Sequence, residues 1–298
     1  MSNKKIFFVI RSLLICSTLF LPIQSFSEIN NNNRPFGLYI AGQYKPSISY
    51  FTNFSIKETH VQPKEILSLK NDVTSITTDV MKELGNFNVP YSATFQNNIA
   101  GFSGTVGCLT SEGPRVEIEG SYEKFDIKSP KNNKIEDAFR YFALTRNTKE
   151  EKITKHVVMR NNGISITSIV LNGCYDFSAS KSRRISPYMC VGFGGDFIEL
   201  FDSVRVKFAY QGKLGINYPL SSNIILFVDG YYHRVIGNQF KHLSVQHVID
   251  LSINESKQFN GIQLRSVPKE TSFPRATSAI ATLTIKHFGG GFGLKFIF

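Results

Sequence analysis

The sequence predicts an all-β fold, a transmembrane antiparallel up-and-down β-barrel of eight strands, on three observations. Apolar and polar residues alternate with period 2 over stretches that no α-helix would produce. The connections between those stretches are long at one end of the strands and short at the other, the asymmetry of a membrane barrel. The last residues, "KHFGGGFGLKFIF" (286–298), place Phe292, Leu294, Phe296 and Phe298 at every second position. A ten- or twelve-stranded barrel is the alternative. "SISYFTNFSI" (47–56) still alternates, and reads either as an upward extension of the first strand or as the start of an extra hairpin.

Taken in order, the chain opens as a secretory signal. Lys4 and Lys5 precede the apolar "LLICSTLFL" (13–21), and "SFS" (25–27) supplies small residues before a cut. Nine apolar residues are too few to span a bilayer as a helix. Residues 1–27 are therefore expected to be a signal peptide and 28–298 a single barrel domain. The clearest strand is "VRVKFAYQGKLGINY" (204–218), with Val204, Val206, Phe208, Tyr210, Leu214, Ile216 and Tyr218 on one face. "GLYIAGQYK" (37–45) and "RVEIEGSYE" (115–123) repeat the pattern, and weaker versions run through 100–109, 164–177, 187–198, 223–235 and from about 278.

The long connections are 47–99, 128–163 and 236–277, whereas 110–114, 178–186, 199–203 and 218–222 are short. Three of the short ones carry turn residues: "TSEGP", "SKSRRISP" and "YPLSSN". An even strand count puts both chain ends on the periplasmic side and the long loops outside. The long loops read as partly helical, because "KIEDAFRYFALTR" (134–146) spaces Ile135, Phe139 and Phe142 like one helix face.

One irregularity stands in the last strand. Its apolar positions are odd before residue 286 (Ala279, Ala281, Leu283, Ile285) and even after 288. A one-residue change of phase predicts a β-bulge between Lys286 and Gly290, in the glycine cluster Gly289–Gly291.

Bulk properties narrow the function. With 42% hydrophobic residues the chain is not disordered, and without long apolar runs past the N-terminus it is not a multi-pass helical membrane protein. The formal charge of +11 raises nucleic acid as a partner, but no Lys/Arg run, finger spacing or basic helix supports it. The basic balance reads instead as a cationic surface or pore lining. No His-Glu-x-x-His and no Gly-x-Ser-x-Gly occurs, and His242 and His247 have the wrong spacing for one helix face. Catalytic, cofactor and metal residues are therefore not expected, and an outer-membrane enzyme is a remote alternative. Cys108, Cys174 and Cys190 follow the signal, with no C-x-x-C to suggest zinc. Cys174 and Cys190 are symmetric about residue 182 and face each other if the hairpin closes there; a disulfide and a pair of reduced thiols both fit.

If the apolar faces meet lipid, the charges between them point inward. These are Arg115, Glu117, Glu119 and Glu123 on one strand, Arg205, Lys207 and Lys213 on another, and Lys295 on the last. Two readings stay open: a charged lining that sets pore selectivity, or a lumen filled by ion pairs, since eight strands leave just enough room for side chains.

Several stretches closely resemble the major surface antigen family of the tick-borne Anaplasmataceae. They are "EGPRVEIEGSYEKFDIK" (112–128), "YFALT" (141–145), "LNGCYDFS" (171–178), "SPYMCVGFGGDFIEL" (186–200), "KLGINYPLS" (213–221) and the N-terminal "GLYIAGQYKPSISYFTNFSIKET" (37–59). The resemblance implies an outer-membrane barrel that dominates the surface of an obligate intracellular bacterium and faces the immune system, with some members regarded as porins for small hydrophilic nutrients. Phe142 stands where many members have Cys, and Lys295 where Arg is expected. The expected function is thus a surface antigen of the bacterial outer membrane, loops exposed, with porin-like permeability; the alternative is a closed barrel whose loops act as adhesin or antigenic display. Expected partners are outer-membrane lipid, the assembly machinery that reads the Phe292, Leu294, Phe296 and Phe298 stripe, the host cell surface and antibodies.

Overall fold

Alternating segments in this chain meet two solvents, and the fold follows from how each strand divides between them. The structure, a computed structural model, describes residues 37–59, 62–110, 113–129, 134–135, 137–146, 156–177, 185–245, 247–249 and 278–298. The proposed signal peptide, most of the 236–277 connection and the 178–184 turn lie outside the described residues.

The strands are β1 (Gly37–Tyr44), β2 (Ser47–Ser49), β3 (Thr52–Glu58), β4 (Pro63–Leu69), β5 (Phe87–Pro90), β6 (Phe102–Leu109), β7 (Pro114–Phe125), β8 (Tyr141–Arg146) and β9 (His156–Arg160). They continue with β10 (Ile164–Asp176), β11 (Ser186–Leu200), β12 (Ser203–Pro219), β13 (Ile224–Val235), β14 (Gln239–Leu243), β15 (His247–Ile249), β16 (Ala279–Thr284) and β17 (Lys286–Ile297). Eight of them close a barrel in the order β1-β6-β7-β10-β11-β12-β13-β17, every pair antiparallel, with β17 returning to β1. Pairing Tyr39 with Ile297 closes the first barrel strand on the last, and the Phe298 amide donates to the Leu38 carbonyl at 2.9 Å.

The outer wall carries the apolar half of each alternation. Val206, Phe208 and Leu214 on β12, Val191 and Phe193 on β11, and Phe292 and Phe296 on β17 are exposed, while Gln211, Lys213 and Asn217 on β12 are buried inside. An apolar exterior of this kind is stable only against hydrocarbon, and closure leaves no unpaired strand edge within it.

Beyond the wall, at the end carrying the long connections, the chain builds a second layer. Two further sheets, β14-β16-β3 and β15-β9-β8-β4-β5, stand over the barrel mouth. The 47–56 stretch is the predicted extension: β2 pairs with the top of β17 and β3 with β16. A short helix α1 (Thr78–Lys82) begins where the Thr77 hydroxyl accepts from the Val80 amide at 3.4 Å.

Two sequence expectations need correction. Residues 134–146 are not a helix. They form a single 3-10 turn (Ala138–Arg140) and then β8, nearly all of which is buried. Phe142 and Leu144 enter one apolar core and Ala143 another, so both faces of the strand are apolar and its period 2 is erased.

The predicted bulge between Lys286 and Gly290 is also absent. β13 and β17 pair residue for residue from Arg234↔Lys286 through Gly230↔Gly290 to Ile224↔Phe296. Ala279, Ala281, Leu283 and Ile285 point inward, as do His287, Gly291 and Lys295. β16 shifts register against β3 between Thr282 and Thr284, upstream of the predicted bulge, yet the odd positions stay inward along both β16 and β17, and what changes at residue 286 is the surroundings. Below it the outside is lipid and the inside polar. Above it the outside is water and the inside an apolar core.

Candidate functional site: a filled lumen under an apolar cover

The inward residues of the wall meet across the barrel in ion pairs and hydrogen bonds. Nearest the chain ends, Arg115 bonds Glu117 and, through Nε, Asp176 Oδ2 at 3.1 Å, with Tyr39 donating to Glu117. Lys295 Nζ donates to Asn217 Oδ1 at 2.9 Å and lies 4.6 Å from the Tyr188 ring centre. Cys174 and Cys190, opposed in register, are joined by a disulfide beside this layer.

The middle layer is the tightest. Lys45 Nζ reaches Glu119 Oε1 at 2.9 Å, and Lys213 bridges Glu119 and Glu117, the latter at 3.4 Å. Asn172 Nδ2 donates to Glu117 and Glu119, each at 3.1 Å, and Gln211 Nε2 donates to Glu119 at 2.9 Å and to Asn172 Oδ1 at 2.8 Å. Asp229 accepts from Gln43 and Tyr188, both at 2.7 Å. Glu119 and Lys45 are each 1% exposed, so no water column passes between them. Charges this deep are stable only when paired, and here each carboxylate has at least one cation or two neutral donors.

At the end carrying the long connections, Glu123 is held by Tyr231 and His287, and His233 Nε2 meets Asp196 Oδ2 at 2.8 Å. The two imidazoles stack with centres 4.8 Å apart. Directly above, Phe125 lies 5.3 Å from the His287 ring and begins the apolar core formed with Ile164, Ile166, Ile198, Phe142 and Leu283. Phe142 stacks at 4.2 Å on Tyr91, whose hydroxyl accepts from Asn161 at 3.0 Å and whose burial pushes its phenol pKa up. On the rim, Arg140 grips Asp126 at 2.7 and 3.1 Å, and those hydrogen bonds hold the Asp126 carboxyl below its ordinary range.

The sequence-predicted residues divide. Arg115, Glu117, Glu119, Glu123, Lys213 and Lys295 meet inside the barrel. Arg205 and Lys207 do not join them. They sit at the long-connection end of β12, where Arg205 donates to the Lys241 carbonyl at 2.6 Å and Lys207 to the Gln239 carbonyl at 2.8 Å, tying β14 down. Phe292, Leu294, Phe296 and Phe298 all lie on the outer wall. Sequence reasoning missed Tyr39, Gln43 and Lys45, although they are the phase opposite Leu38, Ile40 and Tyr44 on β1. It also missed Asp196, Asp229 and His233, which sit among glycines and aromatics where the alternation is faint.

A profile of the family described as "Surface antigen" matches residues 30–298. The chain belongs to the surface antigen family. It is 29% identical to "Major surface antigen 4" of Anaplasma marginale over 215 residues, 72% of this chain and 74% of that protein. Among solved structures it is similar to the outer membrane protein OprG from Pseudomonas aeruginosa (12% identity, TM-score 0.47), covering 90% of this chain and all of that one. Neisserial surface protein A gives 9% identity and a TM-score of 0.40 over 88% of this chain and 97% of that one. The outer membrane protein AlkL gives 13% and 0.41 over 93% and 97%.

Proposed function

We propose that this surface antigen works as a closed pedestal: the barrel anchors in the outer membrane and holds a folded extracellular layer where host surfaces and antibodies meet it. The observation that carries this reading is the Lys45–Glu119–Lys213–Glu117 chain of ion pairs, which crosses a lumen with no exposed polar passage among the described residues. The apolar core above it supports the same reading, because an open channel mouth would be wet and polar.

Porin-like passage of small hydrophilic solutes is the competing reading. It requires buried ion pairs and the apolar cover to separate together, each disfavoured by several kcal/mol. Refolded protein in a planar bilayer separates the two. The closed pedestal gives no stable conductance steps from material that migrates as a folded, heat-modifiable band. Regular ion-permeable steps from that material contradict it and restore the porin reading.

A further inference from the structure

The outer wall carries an arrangement that the lumen does not explain. Arg234 on β13 and Lys286 on β17 are directly opposed in the ladder, and both side chains are on the outer face. Like charges so placed repel. Aromatic residues flank the pair: Lys286 Nζ lies 4.3 Å from the Tyr50 ring centre, and Arg234 Nη1 is 3.5 Å from the Tyr210 hydroxyl. One outward position nearer the last residue come the aromatic Tyr232 and Phe288; one position farther out come the polar Thr284 on the β17 line and the apolar Ile236 on the β13 line, so the pair interrupts the outer apolar face near its upper end. The pair therefore sits at headgroup depth, where aromatic belts mark the membrane interface.

Among the described residues, no ion pair to a carboxylate relieves the repulsion. The outward positions of β12, β13, β16 and β17 carry neither Asp nor Glu, and Asp229, the acidic residue of these strands, faces the lumen. Long basic side chains at this depth extend along apolar wall and present their charge to the headgroups.

We propose that Arg234 and Lys286 form a binding site for the phosphate of an anionic lipid headgroup in the outer leaflet, with Tyr50 and Tyr210 as its sides. The site rests on the membrane-spanning wall and is independent of whether the lumen conducts.

The full chain, reconstituted in phosphatidylcholine vesicles containing spin-labelled phosphatidylglycerol or spin-labelled phosphatidylcholine, tests this. The anionic label should associate with the wild type over the neutral one by roughly threefold. The double variant Arg234→Gln/Lys286→Gln should bring that ratio near one. Lys124→Gln, which removes an outward cation paired with Ser165 instead of a second cation, should leave it unchanged. Heat-modifiable migration confirms that each variant is folded. Equal association of both labels with the wild type, or a preference that survives in the double variant, overturns the proposal. So does full displacement of the anionic lipid by inorganic phosphate at constant ionic strength, which would make this a free-anion site.

Discussion

Two regions of one continuous set of strands obey opposite rules. In the wall, Phe292 and Phe296 face out and Lys295 faces in; a few residues earlier on the same line, Thr282 and Thr284 face out and Leu283 and Ile285 face in. β10 makes the same exchange: Ile169 and Leu171 are exposed on the wall, whereas Ile164 and Ile166 are buried under the cover. Side chains alternate in both regions, whatever lies outside. The medium decides which face is apolar. Hydrocarbon outside drives polar groups into a lumen where they must pair; water outside drives apolar groups into a core.

Removing one partner from the lumen should cost most. Glu119→Ala leaves Lys45 and Lys213 with too little counter-charge in a dry interior and should destabilise the barrel by about 3–5 kcal/mol, read as a lower midpoint in urea-driven unfolding in vesicles. An unchanged midpoint would mean that water already enters the lumen. Next, Leu283→Ala should cost about 3 kcal/mol through transfer and cavity terms, while Thr284→Ala, one residue on and outside, should cost under about 0.5 kcal/mol. Equal effects at the two positions would erase the distinction between faces above the membrane.

The smallest effect is at the rim. The Asp126 carboxyl is held below its ordinary range, so its hydrogen bonds with Arg140 stabilise the fold above the unfolded carboxylate range. That contribution is lost as pH falls through the lower, folded value. Acidification below about pH 4 should loosen the 126–140 segment locally, seen as faster amide exchange there than in β12. Uniform exchange across both would contradict a contact confined to the rim.

The barrel was legible because β7 and β12 keep apolar residues on one face from end to end, so their alternation runs unbroken. β10 and the β16–β17 line were not, because each crosses from one medium to the other. Their apolar residues change faces at the crossing, and a line that keeps one inward phase then reads as a weak or bulged strand. β8 hid itself differently, buried on both sides, so that Phe139 and Phe142 looked helical. Of the lumen, the charges on β7 and the lower part of β12 could be read from the sequence. Their partners could not, because Lys45, Asn172 and Gln211 become neighbours of Glu119 only when the sheet closes.

Accessibility along residues 282–296, read one position at a time, tests the exchange of faces most directly. Single cysteines in a background with Cys16, Cys108, Cys174 and Cys190 replaced by Ser would be reacted with a water-soluble and a lipid-borne reagent after reconstitution. Positions 282 and 284 should react only from water, 288, 292 and 296 only from lipid, and 283 and 285 with neither. Reaction of 283 and 285 with the lipid-borne reagent would put the phase break back at residue 286 and contradict one inward phase carried from β16 into β17.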